Sequence, residues 1–156
     1  MAHELSTIGV QLLYAVETTA GTRPTTGYTQ LVGLKSAPST GDAPNTLQVT
    51  DLDDEYHRYV LGVQDVGGAR AYVFNDTVDT RSAWETMYSA YQTAAADGKA
   101  IWFEEKFPQG QGAMDSFYFA GMPSKWTVNE RSVDSVIEAT GYVTPNEVVG
   151  FATAST

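Results

Sequence analysis

The sequence predicts a mainly β fold, an antiparallel sandwich or barrel with one α-helix packed on its flank. Three observations carry that expectation. Short runs with apolar side chains at alternate positions recur along the chain, as half-buried strands require. Stretches rich in Gly, Pro, Asn and Asp separate them at roughly hairpin spacing. One segment alone, between Asp79 and Gly98, repeats its apolar residues with the period of a helix.

In chain order, "IGVQLLYAV" places Ile8, Val10, Leu12, Tyr14 and Val16 on one face of a first strand. The Thr-, Gly- and Pro-rich "ETTAGTRPTTGYTQ" then reads as a turn or loop, and "YTQLVGL" as a short strand. Two prolines in "KSAPSTGDAPNT" exclude a central strand there. "TLQVTDL" and "YHRYVLGV" flank an acidic knot, so Thr46 to Val63 predicts a hairpin, and "ARAYVFND" a strand after the Gly67–Gly68 turn. In the helical segment, Trp84, Met87, Tyr88, Tyr91 and Ala95 fall on one stripe. Asp79 or Thr80 is placed to cap its start and Gly98 to end it. "AIWFEEKF", "SFYFAGM", "KWTVNER" and "SVIEATGYV" predict four further strands, with "PQGQGAMD" as the first turn among them. The total is about eight short strands and one helix.

A length of 156 residues suggests one domain, and 42% hydrophobic residues suffice for a core. Nine Tyr and three Trp favour strands and packed interfaces. With no cysteine, disulfides and thiolate metal sites are excluded. The start "MAHELSTIGV" lacks the basic and apolar runs of a secretory signal, and no apolar run approaches the ~20 residues that span a bilayer. The expectation is a protein folded in the cytoplasm, without a membrane segment. Nineteen acids against nine bases give a net charge of −10, which opposes binding to phosphate-rich partners.

Chemically, the acidic knot "DLDDEYHRYV" is the busiest stretch. Asp51, Asp53 and Glu55 match the first acids of an EF-hand calcium loop, but Tyr56 stands where Gly is needed and Gly62 where the bidentate Glu belongs. With His3 and His57 as the only histidines, no zinc set assembles. Glu104 and Glu105 are adjacent on a strand and so point to opposite faces, where they cannot flank one glycosidic bond; one of them is expected to be paired or solvated. "HELST" lacks the second His of a zincin, "GQGAMD" lacks the third Gly of a dinucleotide fingerprint, and no Walker loop or nucleophile elbow is present. "NDT" at Asn75 is a glycosylation sequon in a chain with no other mark of secretion. Neither catalysis nor a cofactor or metal is expected.

Taken together, "AGTRPTTGYTQLVGLKS", "APNTLQVTDLDDEYHRYV" and "GVQDVGG", followed by "AWETMYSAY", "GKAIWF", "SFYFAGMPS" and "SVIEATGYVTP", resemble the major tail tube protein of long-tailed bacteriophages and prophages across nearly the whole chain. The resemblance implies a single tail-tube domain over 1–156, with a long assembly loop at about 35–65 and a short arm after 145. It implies that six copies close into a ring, that rings stack into a tube, and that DNA passes through without being bound. It further implies a virion protein assembled in the host cytoplasm, with tape-measure, tail-terminator and baseplate or tip proteins as partners. On this reading Asp51, Asp53, Asp54, Glu55, Tyr56 and Tyr59 belong to the assembly loop that reaches the neighbouring ring, while Trp84, Met87, Tyr88 and Tyr91 pack the helix on the sandwich. The competing reading is a soluble β-sandwich module for a carbohydrate or cell-surface ligand, which requires an exposed aromatic platform and a monomer.

Overall fold

The computed structural model describes residues 9–40, 45–63, 68–108 and 114–155. The described residues form ten strands and one helix: β1 (Gln11–Val16), β2 (Thr29–Leu31), β3 (Leu34–Ser36), β4 (Thr46–Gln48), β5 (Tyr59–Leu61), β6 (Arg70–Asn75), α1 (Val78–Ala96), β7 (Ile101–Lys106), β8 (Ser116–Pro123), β9 (Thr127–Val128) and β10 (Glu138–Ala152). The chain divides into two compact units, one formed by residues 1–38 and 69–156, the other by Ser39–Gly68.

The larger unit is built on one antiparallel eight-stranded sheet in the order β2-β1-β7-β8-β10-β6-β3, with β9 also paired to β10. Its two end strands are consecutive in sequence, and only Val32 and Gly33 separate them. Three peptide units span at most ~11 Å, so the sheet must curl until its ends nearly meet. It is a barrel-like sheet, nearly closed. Gly33 makes this turn possible, since its φ is +81° and a Cβ there would lie 2.2 Å from the Thr80 methyl carbon.

β10 holds the two halves of the sheet together. Its first part, Glu138 to Val143, pairs with β6, and from Val143 to Ala152 it pairs with β8. Register shifts between Pro145 and Glu147 and between Val148 and Gly150 bend the strand as bulges do. Residues after 145 therefore continue a paired strand. The strand expected over "KWTVNER" shortens to Thr127–Val128, because the Trp126 ring turns onto Phe74 and Trp84. "YTQLVGL" divides into β2 and β3 at the Gly33 turn, and "PQGQGAMD" lies largely outside the described residues.

Inside the curl, Leu12, Leu31, Tyr72, Phe74, Ile101, Phe103, Phe117, Phe119 and Val143 pack with Trp84 and Met87 of α1. Gly141 leaves the space for Trp84, since a Cβ there would sit 2.4 Å from the indole ring. The Trp84 indole N–H donates to the Ser124 carbonyl at 2.9 Å. Tyr88 and Tyr91 are half-buried. The buried stripe continues to Ala94, whereas Ala95, expected on it, is exposed. The helix starts earlier than expected. Thr77, in extended backbone, is the N-cap, and Thr80 completes a capping box by accepting from the Thr77 N–H at 2.9 Å. Gly98, at φ +70°, follows the last turn.

Alternation predicts one buried face for β1, yet Leu12, Leu13 and Ala15 are all buried. The other face of β1, β7 and β8 is covered by the segment after β1 and by the C-terminal residues. Arg23 lies 4.2 Å over the Tyr118 ring, Tyr28 meets Tyr118 edge-on, and the Tyr118 hydroxyl donates to the Thr153 carbonyl at 2.7 Å.

Candidate functional site

The smaller unit is the hairpin that the sequence predicts over Thr46 to Val63. β4 and β5 pair through Thr46↔Leu61, Leu47↔Val60 and Gln48↔Tyr59. Val49 N–H to Arg58 carbonyl (2.9 Å) and Gly62 N–H to Asn45 carbonyl (2.5 Å) extend the ladder at both ends. Leu47 and Val60 share one face; Leu61 and Tyr59 share the other. Neither face is covered: among residues 45–63 none is buried. Leu47, Leu52, Tyr56, Tyr59, Leu61 and Val63 are each more than half exposed. Lys35 and Ser36, included in the expected loop, lie instead in β3 of the sheet, where Lys35 pairs with Glu138. Asp65 lies outside the described residues.

At the tip, the acidic knot folds on itself. Asp54 accepts from the Asp51 N–H at 2.8 Å, and the Asp54 N–H donates to the Asp51 carbonyl at 3.2 Å. Arg58 donates to Asp54 at 2.8 Å and to Asp51 at 3.2 Å. The turn thus brings Arg58 back onto two of the four acids of the knot. Asp53 and Glu55 have no ion-pair partner among the described residues, and both are exposed. Leu52, just before Asp53, has its side chain fully in solvent. His57 is held by Gln48, whose amide lies 2.8 Å from Nδ1.

The adjacent glutamates of β7 take opposite faces, and both are buried, so neither is solvated. Glu105 receives Arg70 at 2.5 Å and the Tyr72 hydroxyl, while Arg70 lies within 5.6 Å of the Phe117 and Phe119 rings. Burial and the Glu105 carboxylate push the Tyr72 hydroxyl well above its ordinary pKa. Glu104 accepts from the Ser155 N–H at 3.2 Å, and its other oxygen has no hydrogen-bond partner among the described residues. The two carboxylates belong to separate hydrogen-bond networks. The Asn75 sequon is folded into the helix start, where the Asn75 carbonyl accepts from Thr80. Among the described residues no group of His, Cys, Asp and Glu could hold a metal ion, and no helix is long and apolar enough to cross a membrane.

A concave surface missed by the sequence reading runs along the outer margin of α1. Trp84, Glu85, Tyr88, Ser89, Lys125 and Trp126 line a groove of 460 Å³. Its aromatic walls are fixed by hydrogen bonds, Trp84 to Ser124 and Trp126 to Asp76 at 3.1 Å. Asp76 is itself clamped by Arg81 at 2.5 Å, and the Arg81 and Trp126 donors hold its carboxyl below the usual range. Lys125 on the rim is exposed and forms no ion pair among the described residues. The signal available in sequence was the pair Lys125–Trp126, a charge beside an aromatic in what reads as a strand.

No family model matches this chain, and no curated protein matches it in sequence. Its fold is nevertheless shared with chains of the anti-feeding prophage. A chain of the anti-feeding prophage baseplate, determined with sixfold symmetry, superimposes with a TM-score of 0.61 at 5% identity, covering 99% of this chain and 98% of that one. A chain of the anti-feeding prophage cap, which terminates the tube, superimposes with a TM-score of 0.51 at 12% identity, covering 99% and 95%.

Proposed function

We propose that this protein is a structural subunit of a phage-tail-like particle, and specifically the tube subunit, six copies closing a ring and rings stacking through the hairpin of residues 45–63. The observation that carries the reading is the hairpin's exposure. A lone two-stranded hairpin is marginal in water, and one that leaves apolar side chains bare on both faces calls for a partner surface. The shared fold supports the placement in a tail-like assembly. A contact that joins unlike surfaces of successive copies propagates without closing, as a tube requires. DNA would pass through such a tube unbound, since the net charge of −10 opposes counterion-releasing phosphate contacts. Tape-measure, terminator and baseplate proteins are its expected partners at the ends and in the lumen.

Negative-stain microscopy of concentrated protein tests this. Rings and tubes of constant diameter are expected. Single rings that never stack would move the assignment to a cap or baseplate component. Uniform particles of monomer size at every concentration would sink it.

A further inference from the structure

The hairpin tip and the Trp84–Trp126 groove are complementary. At the tip, Leu52 stands in solvent between Asp51 and Asp53 in the chain, and Arg58 is already engaged by Asp51 and Asp54, so Asp53 and Glu55 have no ion-pair partner among the described residues. The groove offers the converse, aromatic walls held rigid by Ser124 and Asp76 and a rim cation, Lys125, without an acid partner. Glu85, also on the rim, lies one helical turn from Arg81, whose charge it feels. Two other concavities lack this combination. One, beside Glu17, places Lys99 near Asp97; the other is lined by threonines, and its Arg23 is stacked on Tyr118.

We infer that the groove is the receptor for the hairpin tip of a second copy of this chain. Leu52 enters between Tyr88 and Trp126, over the buried Trp84 as the floor, and Asp53 and Glu55 meet Lys125. Apolar knobs in aromatic pockets, ringed by charge that sets register, are how compact interfaces concentrate affinity and specificity. Tip and groove are different surfaces of one chain, so the contact is head-to-tail and repeats. The inference rests on the tube reading for the identity of the partner.

Charge reversal tests it at exposed positions that leave the fold alone. Asp53→Lys/Glu55→Lys reverses the tip, and Lys125→Glu reverses the rim. Sedimentation velocity over a concentration series reads the onset of assembly. Each variant alone is expected to assemble only at about tenfold higher concentration or more, the effect of one close interfacial charge pair. An equimolar mixture of the two should assemble near the wild-type concentration, because every Lys tip then finds a Glu rim and every acidic tip a Lys rim. If Lys125→Glu assembles like wild type, or the mixture does no better than its parts, the groove is not the receptor and the tube reading stands. If the wild type stays monomeric throughout the series, both fall.

Discussion

Arg70 meets Glu105 in the eight-stranded sheet with both side chains out of water, braced by Tyr72 and two phenylalanine rings. In the hairpin, Arg58 meets Asp51 and Asp54 with more than half of its side chain in solvent. The same chemistry has different consequences in the two places. A buried pair is committed, because removing one partner strands the other in low dielectric, whereas an exposed pair is worth little and can be exchanged for a new partner. The apolar side chains divide the same way. Trp84 and Phe119 are spent on the core, while Leu52 and Tyr56 are left in solvent. The sheet unit thus buries its apolar and paired side chains, and the hairpin leaves its own in solvent.

The largest effect that would break this contrast lies in the core. Trp84→Ala should lower stability by about 3–5 kcal/mol, as deletion of a buried aromatic does, and it also strands the Ser124 carbonyl. Chemical denaturation measures it, and wild-type stability in this variant would mean that the helix stripe does not carry the core. Arg70→Met should follow, at about 3 kcal/mol, because Glu105 then loses its buried counter-charge. Adding Glu105→Leu should recover most of that loss. A double variant no better than the single one would show that the pair contributes net stability beyond mutual neutralisation.

How far the sequence reveals this division depends on which interactions are local. The helix stripe through Trp84 and Met87 is legible because 3.6-residue periodicity is a local property. The helix start is harder, since "NDTVDT" holds several good caps and the choice of Thr77 is made by the Thr80 hydroxyl reaching the Asn75 carbonyl. The burial of Leu13 and Ala15 is invisible in the strand's own pattern, because residues far along the chain cover that face. At the tip, the acids can be read as a polar turn. The engagement of Arg58 with Asp51 and Asp54 follows from the turn's geometry, which residue types alone do not specify. The groove joins α1 to Lys125 and Trp126, which lie between β8 and β9, and no local pattern announces it.

Acid titration sharpens the comparison on the sheet side. Glu17 is buried. Desolvation raises its pKa, but donors from Trp102 (2.8 Å), Gly21 (3.0 Å) and Ala100 (3.1 Å) overcome this and hold it below the ordinary value. A carboxyl depressed in the folded state adds stability that is complete above its unfolded pKa and is lost as pH falls through the folded one. Denaturation midpoints should therefore decline as pH drops below about 4.5. Glu17→Gln should cost about 1–2 kcal/mol near neutrality, because an amide cannot accept from all three donors, and should flatten that decline. An unchanged acid limb in the variant would assign the loss to other carboxylates, Asp76 first.

The smallest expected effect on stability carries the most information about the hairpin. Leu47, Leu52 and Tyr59 touch too little of the protein to be part of its core, so replacing all three with serine should change unfolding free energy by only about 0.5 kcal/mol. Stability therefore predicts almost nothing, and assembly should change completely. Each replacement removes apolar area that a covering partner would take out of water at roughly 25 cal/mol per Å², and every copy in a tube would lose it at once. The measurement is a pair: a denaturation curve and a micrograph of the same preparation. A curve that overlays wild type beside a field without tubes would separate the two regions as argued. A large loss of stability would instead show that the hairpin supports the folded subunit itself. Normal tubes from the triple variant would show that these side chains are not the ones assembly covers.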